Sequence, residues 1–321
     1  QIAGVVDPMP AGQLPVGGAM IYSEALASQI MMLNRWEHDN SESRRIAEEF
    51  IQDEARFAEE AGVSSEGELK RPSPSPGTLQ RNFAQIFRMA DSYYVAQEIT
   101  NVLLDGFDTL PDTPLGDIRP SSPYGWVIFE KPVICPMVSL NADQYIKAFA
   151  WGPLINGDDD ASSALHICAF VSNNYRCVSI IIWPWEYGWN HPELKPTVEA
   201  HREPTNWLNK LIFSFFAFIR QECVTIQNQP AARPIRRHLP KSYAAEPIIK
   251  VIQLRRRSTA TNADESVSVD YSCRWLVRGH WRNQFYPGSK SHRPRYIQPY
   301  VKGPDDKPLK PTKSSLFAVV R

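Results

Sequence analysis

From Ser266 to Arg282 the chain reads SVSVDYSCRWLVRGHWR, and apolar and polar positions alternate through almost all of it. Val267, Val269, Tyr271, Cys273, Trp275, Val277, Gly279 and Trp281 share one parity. Ser266, Ser268, Asp270, Ser272, Arg274, Leu276, Arg278, His280 and Arg282 share the other. Successive side chains of a strand point to opposite faces, so this pattern predicts one long strand over 266–282 with a buried apolar face. The opposite face ends in a cationic row of Arg274, Arg278, His280 and Arg282.

Elsewhere the periodicity switches between helix and strand. Residues 1–20 are rich in Gly, Pro and Ala and read as a flexible arm. Helical spacing follows over 23–38, again over 43–62 with an acidic outer face, and from Thr78 to about 106 as one long helix or two. The segment 71–77, RPSPSPG, is a turn or linker. Short strands are predicted at 126–129, 133–135 and 145–151. Leu165–Val171 and Cys177–Trp183 flank SNNYR as a hairpin, with the continuously apolar Val178–Ile182 as a central strand. A helix over 207–219 and strands at 248–254, 295–301 and 316–320 complete the pattern. The expectation is an α+β fold in which an N-terminal helical region precedes a mostly antiparallel sheet carrying one or two helices. The corresponding divisions are a 1–20 arm, an acidic helical region over 21–106, a β-rich central region over 107–230 with its helix at 205–220, and a basic β-rich region over 231–321.

Charge sharpens this division. The 321 residues carry no formal net charge, yet 231–321 holds 19 Lys+Arg against 6 Asp+Glu, leaving 16 against 29 for the rest. Such polarity points either to polyanion binding by the basic part or to docking of the two parts on each other. Five cysteines, Cys135, Cys168, Cys177, Cys223 and Cys273, form no CxxC pair, so they read as reduced thiols in a cytoplasmic protein. The N-terminus lacks the basic flank and apolar core of a signal peptide. The most apolar run, Leu208–Ile219, is too short to cross a bilayer.

The candidate chemistry gathers at the C-terminal end. Guanidinium groups present a planar fork of donors to phosphate oxygens, so Arg274, Arg278, Arg282, Arg293 and Arg295, with His292, form the candidate nucleic-acid surface. Phe285, Tyr286, Tyr296 and Tyr300 lie among them, an arrangement suited to stacking single-stranded bases. The competing assignment places these rings in a core beneath a hairpin, and for Phe285 and Tyr296 that assignment is preferred. His280, between Arg278 and Arg282, is the candidate general acid or base for phosphodiester cleavage. The runs Arg233–His238 and Arg255–Arg257 add charge without placing a site. Asp158–Asp160, His191 and His201 match no metal pattern, so no metal or cofactor is expected. The aromatic cluster from Trp183 to Trp189 reads as a packed corner.

The segment WLVRGHWRNQFYPGSKSHRPRYIQPYVKGPDDKPL resembles a signature of uncharacterised actinobacterial and actinobacteriophage proteins: an R-G-H-W-R strand, H-R-P, a second strand and K-G-P. SPYGWVIFEKPV resembles a further part of that group. The resemblance implies a bacterial or mobile-element origin and an intracellular setting, and it implies no activity. Three function classes follow from the residues: a nucleic-acid-binding protein, RNA ahead of DNA, with a metal-independent ribonuclease as its enzymatic version; a structural or interaction component of a phage or defence assembly, in which acidic and basic parts pair; and an enzyme acting on a small molecule at the tryptophan cluster.

Overall fold

The computed structural model describes residues 22–38, 45, 48, 76–134, 145–153, 164–171, 176–184, 203–255, 273–304 and 306–310. The expected arm, all of the helix over 43–62 but Arg45 and Glu48, which are helical, Asp158–Asp160, Trp185–Trp189, His191, His201, Arg256, Arg257 and the strand at 316–320 lie outside those residues.

Helix α1 (Ser23–His38) buries Leu26, Ile30, Leu33 and Trp36 along one stripe. It packs on α2 (Pro76–Met89), whose Phe83, Ile86 and Phe87 are likewise buried. The helix expected over 78–106 is interrupted. After Met89 the chain enters strand β1 (Asp91–Val95), then returns to helix in α3 (Gln97–Gly106). The cause is local. The buried Gln29 amide donates to the Phe87 and Ala90 carbonyls at 2.9 and 2.8 Å, so the end of α2 is capped from α1. The next residues, DSYYV, are aromatic and β-branched, and they fit a strand covered on both faces.

β1 lies inside a seven-stranded sheet of order β5-β4-β3-β2-β1-β7-β6. Its other members are β2 (Gly125–Ile134), β3 (Tyr145–Pro153), β4 (Ala164–Val171), β5 (Arg176–Pro184), β6 (Val224–Pro230) and β7 (Ile248–Leu254). β1 runs parallel to β2 and β7, and every other pairing is antiparallel. The α+β expectation therefore holds, with a mixed sheet. The expected hairpin is β4–β5, but β5 lies at one end of the strand order, so the continuous apolar run of 178–182 does not mark a central strand.

Both faces of the sheet are covered at β1–β4, which is why β2 reads WVIF without alternation. Trp126 and Ile128 point into a core with α1 and α2, together with Tyr94, Phe170 and Val251. Val127 and Phe129 point the other way, into a core with α3 and α5 (Glu203–Phe218), where Phe213, Phe215 and Phe216 are fully buried. Gly125 marks a close approach: a Cβ there would enter the ring of Trp151. Gly125→Ala is expected to cost about 1–3 kcal/mol through overpacking. Urea unfolding checks this, and an unchanged midpoint would show that Trp151 yields freely. No helix among the described residues is long and apolar enough to cross a membrane.

Short elements link these layers: the 3₁₀ turn Phe107–Thr109, helix α4 (Leu115–Ile118) and helix α6 (Arg233–Arg237). Strands β8 (Trp275–Val277), β9 (His280–Tyr286), β10 (Ser291–Ile297) and β11 (Tyr300–Lys302) follow.

Candidate nucleic-acid interface

The single strand expected over 266–282 is two strands where it is described. Arg278 and Gly279 separate β8, which pairs antiparallel with β11, from β9, which pairs antiparallel with β10. The strand expected over 295–301 is likewise split between β10 and β11. Gly279 explains the break. Tyr296 lies against it so closely that a Cβ would overlap its hydroxyl, so the chain must bend there without a side chain.

The break divides the cationic row. Arg274 belongs with β8 and β11. Its guanidinium Nε donates to the Lys307 carbonyl at 2.8 Å, and its backbone exchanges hydrogen bonds with Pro308 and Lys310. It therefore fastens the segment 307–310. Arg278 is exposed at the bend, and its carbonyl accepts a 3.0 Å hydrogen bond from His280 Nδ1. A carbonyl has no proton to give, so Nδ1 carries the hydrogen and Nε2 is the acceptor nitrogen of the neutral ring. Among the described residues no carboxylate or second imidazole hydrogen-bonds His280.

The β9–β10 hairpin carries the rest. Trp281 and Tyr296 face each other on one side, 5% exposed each, with ring centroids 5.3 Å apart at 68°. Tyr296 also meets Phe218 edge-on at 5.3 Å. The Trp281 backbone N–H donates to Thr109 Oγ1 at 2.8 Å. Gln221 accepts from the Tyr296 N–H at 2.9 Å and donates to the Pro294 carbonyl at 3.3 Å. These contacts seat the hairpin on α3, the 3₁₀ turn and the end of α5. Burial, with a smaller contribution from Asp105, raises the Tyr296 phenol above its ordinary range, so it stays protonated.

On the opposite side, register sets Arg282 directly across from Arg295, Gln284 across from Arg293, and Tyr286 across from Ser291. Arg282, Arg293 and Arg295 are exposed. Like charges directly opposite each other destabilise a sheet. The counter-ion here among the described residues, Glu222, is 93% exposed and 3.9 Å from Arg295, a separation at which a surface pair contributes little. His292 is on the seating side of the hairpin, beyond the buried rings, with its ring 5.0 Å from Phe285. Phe285 is 45% exposed, so its expected place in the core is corrected, whereas Tyr296 is in the core as expected. The rings diverge because Trp281 and Tyr296 meet α3 and α5 while the tip of the hairpin projects past them.

Five further arginines sort by place. Arg233, Arg236 and Arg237 lie on α6, whose Ile235 packs with the α1–α2 core, so this run is on the far side of the sheet. Arg255, at the end of β7, instead joins Arg293 and Arg295 around an open cleft of about 710 Å³. Arg220 also borders it and donates to the Asp117 and Arg119 carbonyls at 2.9 and 3.1 Å. Sequence reading passes over Arg220, because nothing in the run FAFIRQE links it to a hairpin some seventy positions later.

Cys168 and Cys177 lie on the paired strands β4 and β5, and Cys168, Cys177, Cys223 and Cys273 are free thiols. Among the described residues no group of three His, Cys, Asp or Glu side chains is placed to hold a metal ion.

No family model matches the chain, and no curated protein matches it. It is similar to a solved structure described as the crystal structure of AcrVA2, with 14% identity and a TM-score of 0.45, over 88% of this chain and 93% of that one. A likeness at that level carries no statement about function.

Proposed function

We propose that the protein binds nucleic acid, single-stranded RNA before duplex DNA, on the outward face of the β9–β10 hairpin. The observation that carries this reading is the opposed Arg282–Arg295 rung with Arg293 one rung away. A phosphate between two guanidinium groups turns their repulsion into a bridged, charge-assisted contact. Neighbouring same-face positions of a strand stand roughly 6.8 Å apart, a step comparable to that between successive phosphates of an extended single strand. The exposed Tyr286 ring stands on the same face at the hairpin tip, where an unstacked base can lie on it.

His280 stands on this face with Nε2 as its proton acceptor, but cleavage needs a second proton-transfer group, and the described residues place none against it. The arrangement supports binding. The resemblance of the C-terminal segment to bacterial and phage proteins fits a role inside a bacterial cell.

Fluorescence anisotropy with labelled single-stranded RNA and duplex DNA at two salt concentrations tests the reading. RNA is expected to bind more tightly than duplex, with an affinity that falls as salt rises. Arg282→Gln/Arg295→Gln should weaken RNA binding at least tenfold and lower the salt slope by about 0.7, the amount for one phosphate of a single strand. No binding of either nucleic acid at low salt would end the proposal.

A second reading rests on a separate observation. Leu276 and Val301 are cross-strand partners on β8 and β11, 38% and 51% exposed, and Leu309 nearby is 50% exposed. Such an apolar face fits a component that assembles with protein partners, the acidic and basic parts pairing within or between copies. Salt-dependent oligomers in light scattering without nucleic acid, together with no RNA binding, would favour it.

A further inference from the structure

We infer that the cleft beside the hairpin is a mononucleotide-sized subsite, holding one phosphorylated nucleotide with its phosphate on Arg255 and Arg293 and its base on Tyr286. This deepens the RNA-binding reading and rests on it.

The cleft is bounded by the outer edge of β10, by the turn after α5 and by the end of β7, and it has a volume of about 710 Å³. That is within the range of small-ligand sites, roughly 300–1,000 Å³. Its basic groups come from three separated parts of the chain: Arg220 from the end of α5, Arg255 from β7, and Arg293 and Arg295 from β10. Their roles differ. Arg220 is spent on two backbone carbonyls, and it also suits the negative end of the α5 dipole. Arg255 is exposed and holds Thr225 Oγ1 through Nε at 3.3 Å, so its terminal nitrogens point elsewhere. Arg293 makes no hydrogen bond or ion pair among the described residues. Arg295 faces Arg282 across the hairpin and lies 3.9 Å from the Glu222 carboxylate, which also lines the cleft.

The cleft therefore presents four guanidinium groups against two carboxylates, Asp117 and Glu222, and that cationic excess suits a phosphate. Tyr286 lines the same cleft and is 38% exposed, a flat ring on which a base can stack. The cleft joins the hairpin face at Arg295, so a nucleotide in it can be continuous with a strand lying over Arg282.

The test uses the whole protein, with AMP, adenosine and inorganic phosphate as probes in isothermal titration calorimetry. AMP is expected to bind saturably, with adenosine and phosphate each at least tenfold weaker. Arg255→Gln should weaken AMP at least tenfold, and Arg282→Gln, outside the cleft, should leave AMP unchanged while weakening RNA. Arg293→Gln serves as a second cleft variant if Arg255→Gln lowers the melting temperature. No AMP binding at millimolar concentration, phosphate binding as tightly as AMP, or full AMP affinity in both cleft variants would overturn the subsite. RNA binding with no AMP binding would remove the subsite and leave the hairpin reading intact. AMP binding without RNA binding would do the reverse.

Discussion

Trp281→Ala is expected to release the β9–β10 hairpin while leaving the seven-stranded sheet folded. Trp281 is 5% exposed and fits into the core formed by α3 and α5, edge-on to Tyr296. Truncating a buried tryptophan costs about 3–5 kcal/mol, and here that cost falls on one attachment. A two-stranded hairpin is at best marginally stable alone in water, so its order depends on this docking. What remains is Tyr296 against Phe218, the Gln221 clamp and the Thr109 contact, each hydrogen bond contributing about 0.5–1.5 kcal/mol net. Hydrogen exchange should therefore show amides of 280–297 losing protection at least a hundredfold while those of β1, β2 and β3 keep theirs. RNA affinity should fall with it, although no phosphate-binding side chain has been touched. Arg282→Gln/Arg295→Gln gives the contrasting pattern, with affinity lost and protection kept. Unchanged protection in Trp281→Ala would mean that the hairpin is held by other contacts, and the link between docking and binding would fail.

That division between seating and binding faces shows what the sequence made legible. The parity of Trp281 and Arg282 was readable, because a strand alternates whatever it packs against. The length of the strand was not. Gly279 belongs to the apolar parity and passes for a small core residue, whereas it marks the bend under Tyr296. In the same way, 78–106 keeps helical spacing on both sides of DSYYV, and only the cap supplied by Gln29, some sixty residues earlier, ends the helix there. The apolar run at 178–182 suggested a central strand because periodicity reports burial, not position in a sheet. The arginines were visible as residues but not as a set. Arg274 fastens a loop, Arg233, Arg236 and Arg237 sit beyond the sheet, and Arg220 and Arg255 reach the hairpin only through tertiary packing.

The second large effect concerns a histidine with no part in binding. His166 lies on β4, fully buried, with its ring 5.1 Å from that of Phe83 and Nε2 3.5 Å from Cys168 Sγ. Its Nδ1 has no partner among the described residues. Burial lowers its pKa from 6.5 to about 4, while burial pushes the Cys168 thiol up, so both groups are neutral in the fold near pH 7. In the unfolded chain the imidazole takes a proton near pH 6.5. Between pH 6.5 and about 4 the unfolded state thus binds a proton that the native state does not, and stability rises with pH across that window. The contribution is complete above pH 6.5 and is lost as pH falls through about 4. At about 1.4 kcal/mol per unit, the full loss is about 3–4 kcal/mol. Carboxylates titrate in the lower part of the same range, so the decisive comparison is with His166→Leu, which removes the imidazole and keeps an apolar group against Phe83. Urea unfolding at pH 7.0 and 4.5 should show the native protein losing roughly 2–3 kcal/mol more than the variant. The excess should begin near pH 6.5, above the carboxylate range. Parallel stability curves for the two proteins would mean that the buried imidazole is already protonated in the fold, or that water reaches it. Either result would overturn the burial-driven shift.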